Sequence, residues 1–233
     1  TVSEVFLYAS NVGTVKIMET LDSNKQREFY DEMGQLKPVP SAFLRETNPI
    51  VPKDWTPLHS VAISFGSGIA TTPLQAGMAT AAMINGGRLL SPTLLKQADD
   101  AGLPSGKQVI TPETSEKIRY LMRQGVKIGA AKVVDINGYR VGGMASTAPK
   151  VVNGRYSNEK VITSFVAAFP MDRPQFLTMV LLNDPQPTEA TDGHRTASWN
   201  AGEISARIIS RIGPMLDIDR KSTRLNSSHI PLS

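Results

Sequence analysis

The chain has 233 residues, with 25 Lys and Arg against 21 Asp and Glu, 40% hydrophobic and 6% aromatic residues, and no cysteine. That length suits one domain with enough bulk to bury a core, and the apolar fraction excludes intrinsic disorder and collagen-like repeats. The lack of cysteine excludes a disulfide scaffold, a thiolate zinc site and a cysteine nucleophile, while leaving the compartment open.

The first ten residues, TVSEVFLYAS, lack the basic start, apolar stretch and small-residue cleavage site of a signal peptide, so the chain is expected to begin inside a larger protein. Val12 to Leu21 predicts a helix entered from a Ser-Asn turn, and Lys25 to Met33 a second one stopped by Gly34. Leu36 to Pro57 carries five prolines among polar residues and predicts a wandering surface loop. The longest run without Asp, Glu, Lys or Arg, Trp55 to Gly87, is broken by Pro57, His59, Pro73 and Gln75 and is no membrane span. Thr72-Pro73 gives an N-cap and a first-turn proline for a tightly packed helix running to Asn85-Gly86-Gly87. Thr111-Pro112-Glu113 repeats the signal before an amphipathic helix ending about Gly125, with Ile118, Leu121 and Met122 on one face.

From Gly138 the periodicity changes to strands: residues 139–152, then Asn153-Gly154, then 155–170, then 175–184. Asn-Gly between two such runs signals a hairpin, so three antiparallel strands are expected, the last two covered on both faces. A C-terminal helix from Ala197 to Ile212, apolar at Ala201, Ile204, Ile208 and Ile212, is predicted to cover one face. The fold class is therefore α+β.

The polar end follows directly on that helix. Asp219 to His229 is similar, residue for residue, to the translation of a common short-read sequencing adaptor, which divides the chain into a domain, 1–218, and an artefactual tail, 219–233. The tail holds Arg220, Lys221 and Arg224 against Asp219, so without it the formal charge falls from +4 to +2, and a nucleic-acid partner is not implied.

Residue types alone offer little chemistry. His59 and His194 lack converging ligands and His229 lies in the tail, so surface histidine is the reading and no metal is expected. No carboxylate pair stands out. Gly66-Ser67-Gly68 has the wrong spacing for a nucleophile elbow and reads as a turn.

Three blocks in order carry more: TVSEVFLYASNVGTVKI, SVAISFGSGIATTPLQAGMATAAMINGGRLLSPTLLK and GYRVGGMASTAPKVVNGRYSNEKVITSFVAAFP. Together they resemble the transpeptidase domain of class B penicillin-binding proteins, closest to the division-specific type, from Val2 to about Leu216. The resemblance implies a transpeptidase and β-lactamase-like α+β fold, an antiparallel sheet with helices on both faces, here without its N-terminal part. It implies a serine in Ser-x-x-Lys that attacks the D-Ala-D-Ala end of a peptidoglycan stem peptide and is acylated by penicillins. It further implies a Ser-x-Asn motif that relays protons and holds the substrate amide. A Lys-Thr-Gly strand binds the terminal carboxylate and flanks the oxyanion hole. No cofactor and no metal are implied. The implied partners are stem peptide or β-lactam, with divisome proteins and a membrane anchor belonging to the parent protein, on the periplasmic face of the inner membrane.

The departures fall on the chemistry. No serine of the chain has the nucleophile's context, and Ser222 of the tail heads no such motif. The Ser-x-Asn position reads Ala9-Ser10-Asn11, which keeps the amide of Asn11 and puts a methyl where the hydroxyl belongs; Ser10 is off by one and is expected to face elsewhere. The Lys-Thr-Gly position reads Met144-Ala145-Ser146, losing the cation, the hydroxyl and the bare glycine together, while Thr147 is left to offer a backbone N–H on the oxyanion side. A purely structural reading makes Ala9, Met144 and Ala145 packing residues, Asn11 a helix cap, and Gly142 and Gly143 points of close strand approach. Three functions stay open: a silent fragment of a septal D,D-transpeptidase, a pseudoenzyme binding stem peptide or a divisome partner, and a serine β-lactamase or penicillin sensor. The last lacks a candidate deacylating acid.

Overall fold

A computed structural model of the chain describes residues 1–40, 46–96, 106–216 and 218, so the adaptor-like tail at 219–233 lies outside the described residues. Helix α1 spans Val2–Leu7 and α2 Asn11–Met18, where one helix from Val12 was expected. Ser10 caps α2, its Oγ accepting from the Gly13 N–H at 3.1 Å. Helix α3, Ser23–Glu32, starts from an Asp22 cap and is released at Gly34, whose φ of +72° suits glycine.

Helix α4, Pro57–Ser64, was not foreseen, although its Thr56-Pro57 start repeats the signal used elsewhere; His59 takes the third-residue place in its capping box. Helix α5, Pro73–Ile84, starts as predicted, with Thr72 and Gln75 capping each other. Gln75 is buried and also donates from Nε2 to the carbonyls of Gly34 and Lys37, at 3.0 and 2.9 Å, fixing the end of α3 against the start of α5. Two short strands follow, β1 (Arg88–Leu90) paired antiparallel with β2 (Gly106–Gln108).

Helix α6, Pro112–Ile128, runs past the expected stop at Gly125. Gly125 is an approach point rather than a terminator: a Cβ there would stand 3.4 Å from the Gly143 carbonyl oxygen of the adjacent strand. The main sheet holds β3 (Gly142–Val152), β4 (Arg155–Phe169) and β5 (Phe176–Asn183), antiparallel in that order. Asn153 and Gly154 turn β3 into β4 with φ of +51° and +77°, the double positive pair that a two-residue hairpin loop needs.

Side chains alternate along β4. Phe165, Ala167 and Phe169 join Val126, Val134, Val141 and two residues of the C-terminal helix α7 (Ala201–Ile212), Ala201 and Ile209, on one face. Ala168 meets Ile84 of α5 and Met122 of α6 on the other. The sheet therefore carries helices on both faces, and the α+β architecture expected from the sequence is the one observed. Coverage is less even than predicted: β4 is mostly exposed over its first half and buried only between Thr163 and Phe169, whereas β5 is half-buried with Leu181 exposed, because β5 lies at the sheet edge among the described residues.

The C-terminal segment also differs from expectation. A short 3₁₀ turn, Ala197–Trp199, precedes α7 and Asn200 separates them. The inward stripe is Ala201, Gly202, Ser205 and Ile209, and Ile204 faces solvent. Packing selects the small residues: a Cβ on Gly202 would lie 3.0 Å from the ring of Phe165, so α7 crosses the sheet closest where its side chains are least.

Candidate substrate site

The turn between α1 and α2 is a Schellman motif, with Ser10 N–H bonded to the Val5 carbonyl at 3.0 Å and Ala9 N–H to that of Phe6 at 3.3 Å. Ala9 holds the left-handed position at φ +48° with an exposed methyl, so it is no packing residue. Asn11 is the first residue of α2, exposed, and the cap is Ser10; among the described residues the Asn11 amide has no hydrogen-bond partner. The Ser10 hydroxyl is engaged at the helix start, where its oxygen accepts from the Gly13 N–H.

On β3, Met144 is 44% exposed and joins none of the core clusters, and Ser146 is exposed beside it. Ala145 does pack, against the cluster around Phe165. Gly142 and Gly143 are close-approach points: a Cβ on Gly143 would stand 3.0 Å from the Val166 carbonyl oxygen, and one on Gly142 would enter the Met171 side chain. The Thr147 hydroxyl is engaged, accepting from the Ala197 N–H at 3.0 Å. Among the described residues β3 pairs with β4 alone, so its outer edge is open and alternate backbone N–H groups point away from β4.

Helix α6 brings these two places together. A Cβ on Gly129, just past its last turn, would lie 2.9 Å from the Leu7 carbonyl oxygen at the end of α1. One turn earlier Gly125 meets Gly143, the residue before Met144. Arg123 adds a clamp, donating to the Val141 carbonyl at 2.9 Å and to Asp135 at 3.0 Å. The last turn of α6 is thus a spacer between the Ala9–Asn11 turn and the start of β3.

The Ser-x-x-Lys spacing does occur once, at Ser157 to Lys160. It lies on β4, where positions three apart face opposite sides, and the Ser157 hydroxyl oxygen accepts from the N–H groups of Glu159 and Lys160 at 3.1 and 2.9 Å. It organises a local bend and has none of the helical geometry that would set a lysine beside a serine. His59 is occupied with Thr56, His194 lies against Trp199, and among the described residues no three His, Asp or Glu converge as metal ligands. No helix among them is long and apolar enough to cross a membrane.

Over 237 residues the chain is 28% identical to a Caulobacter vibrioides protein named a probable peptidoglycan D,D-transpeptidase FtsI, covering 98% of this chain and 40% of that protein. It is 31% identical over 196 residues to stage V sporulation protein D of Bacillus subtilis, covering 79% of this chain and 30% of that one. The chain therefore spans less than half the length of these relatives. The transpeptidase domain of penicillin-binding protein 3 from Burkholderia pseudomallei superposes with a TM-score of 0.83 at 26% identity, covering 95% of this chain and 66% of that structure. With residues 1–209 matching the penicillin-binding protein transpeptidase domain as a sequence family, the chain belongs to that family.

Proposed function

We propose that the chain is part of a division-type peptidoglycan D,D-transpeptidase, that it holds stem peptide along the open edge of β3, and that it is catalytically silent as it stands. The observation that carries this reading is the pairing of a preserved frame with substituted chemistry. Asn11, Met144 and Ser146 stand exposed at two places joined by the last turn of α6, while the lysine and threonine expected on the strand are replaced. An ammonium or hydroxyl on a carboxylate contributes about 1.5 to 3 kcal/mol, so losing both weakens carboxylate binding by orders of magnitude. Backbone N–H groups of the β3 edge and the Asn11 amide are what remains to hold a peptide.

Localisation on the periplasmic face, membrane anchoring of the parent protein and contact with divisome proteins are part of the same proposal and rest on the relatives. The test is acylation by a fluorescent penicillin. No labelled band is expected, either from the chain itself or after Ala9→Ser, Met144→Lys, Ala145→Thr and Ser146→Gly together, because Ser157 lies on a strand. A covalent adduct competed away by unlabelled β-lactam on any serine of the repaired chain would overturn the reading. The DNA upstream of Thr1 separates the two silent alternatives: an intact Ser-x-x-Lys there supports a fragment, and a substituted one supports a pseudoenzyme.

A further inference from the structure

The chain carries three Asn-Gly pairs, Asn85-Gly86, Asn137-Gly138 and Asn153-Gly154, and the fold treats them differently. In such a pair the side-chain amide meets the next main-chain nitrogen most easily, because glycine has no Cβ to obstruct the approach. Whether they meet in the folded chain depends on how firmly each group is held.

Asn85 is held on both sides. Its Nδ2 donates to the Arg88 carbonyl at 2.8 Å, its Oδ1 accepts from the Arg88 N–H at 2.9 Å, and the Gly86 N–H donates to the hydroxyl of the fully buried Ser115 at 3.0 Å. The turn at Asn137 is anchored in the core instead: the Tyr139 N–H donates to the Ile136 carbonyl at 3.1 Å, Tyr139 is buried, and Ile136 packs against the cluster around Phe165. Asn153 and Gly154 have neither restraint. Both are exposed at the tip of the β3–β4 hairpin, and among the described residues neither the Asn153 amide nor the Gly154 N–H has a hydrogen-bond partner. Nothing lies within 4 Å of the place a Gly154 Cβ would take. Val151, Val152, Arg155 and Tyr156 are exposed as well, so rotation at the tip disturbs no core contact.

We propose that Asn153 is a site of spontaneous modification, converted through a cyclic imide to aspartate and isoaspartate with water as the co-reactant. The Gly154 nitrogen, on losing its proton, attacks Asn153 Cγ; the N–Cγ bond forms, the Cγ–Nδ2 bond breaks, and ammonia leaves carrying that proton. Water then opens the ring, with no change of oxidation state. Attack at Cγ gives aspartate, and attack at the main-chain carbonyl carbon of Asn153 gives isoaspartate, whose main chain runs through Cβ and Cγ. The two products differ in their effect on β3. A two-residue loop sets the pairing of Val152 with Arg155 and of Val151 with Tyr156, and the extra main-chain atom of isoaspartate breaks that fit. Aspartate keeps it, since Asp-Gly suits the same turn.

The test incubates the whole chain at mildly alkaline pH. Peptide mass spectrometry then counts, at each of the three sites, the mass gained when NH2 becomes OH, and an isoaspartyl methyltransferase labels the isoaspartate. Asn153 is expected to convert faster than Asn137 and at least about tenfold faster than Asn85, whose bonds must break first. In concentrated urea, which releases all three, the rates should converge. Conversion of Asn85 or Asn137 as fast as that of Asn153 in the folded chain overturns the proposal, and so does a spread that persists undiminished in urea, which would make local sequence the cause. The urea midpoint should fall in the aged chain and stay in place in Asn153→Asp; an aged chain that holds isoaspartate at 153 and keeps its midpoint overturns the effect on pairing.

Discussion

Replacing Asn200 by alanine tests how α7 is fastened to the sheet. The Asn200 side chain makes three bonds: Oδ1 accepts from the Ala201 N–H and from the Thr163 hydroxyl at 2.9 Å, and Nδ2 donates to the Arg195 carbonyl at 2.9 Å. Removing a helix cap costs about 0.5 to 2 kcal/mol. Thr163 is fully buried in the middle of β4, so the same change strands its hydroxyl, at about 1 to 3 kcal/mol. Together these give about 3 kcal/mol, or roughly 10 °C in melting temperature for a domain of this size. Thr163→Val alone should cost about 1 kcal/mol, since Asn200 keeps its other two bonds. The double variant should cost less than the sum by at least about 1 kcal/mol, because valine removes the group left stranded. Urea unfolding of the four proteins, with slopes compared to confirm an unchanged unfolded state, reads the coupling. Strict additivity would refute the idea that the Thr163–Asn200 bond is the fastening.

Ala9→Gly relieves a left-handed residue and should stabilise the fold by about 1 kcal/mol, read as a higher urea midpoint; Ala9→Ser, with the same backbone demand, should not. Gly202→Val should destabilise by about 3 kcal/mol, because its side chain would meet the Phe165 ring; a shift in midpoint equivalent to under about 0.5 kcal/mol would show that α7 slides freely over the sheet. Burial raises the Tyr30 phenol above its ordinary value of 10.0, so an ultraviolet titration should lose its highest-pH phenolate step in Tyr30→Phe. The folded state then holds the Tyr30 proton more tightly than the unfolded one. Its contribution is present below pH 10 and is lost as pH rises beyond it, a loss that Tyr30→Phe should abolish.

The helix starts at Thr72-Pro73 and Thr111-Pro112 and the turn at Asn153-Gly154 were legible because a cap, a proline or a two-residue loop is decided within a few residues. The same signal at Thr56-Pro57 was passed over, since the eight residues that follow show little amphipathic contrast and sit after a proline-rich stretch. Strands β1 and β2, three residues each, are stabilised by a partner many residues away and leave no local trace. The inward face of α7 was misread because hydrophobicity favoured Ile204, whereas the limited space over Phe165 favours Gly202. The motif positions were found through resemblance alone. Neither the residue spacing nor composition could show that Gly125 and Gly129 would draw them together, because that contact forms only when α6 lies on β3.

Those glycine contacts have an evolutionary consequence. The distance from the Ala9–Asn11 turn to β3 is fixed where main chain approaches main chain, at Leu7 with Gly129 and at Gly125 with Gly143. None of the side chains at positions 9, 11, 144 and 146 bears on that frame. Selection can therefore rewrite or discard the reactive groups at almost no cost in folding, so the scaffold can outlast its chemistry and stay available for a binding role. Any drift at Gly129 or Gly143, where a Cβ would crowd main-chain oxygens at 2.9 and 3.0 Å, would by contrast be removed early, as a folding defect and long before activity was measured.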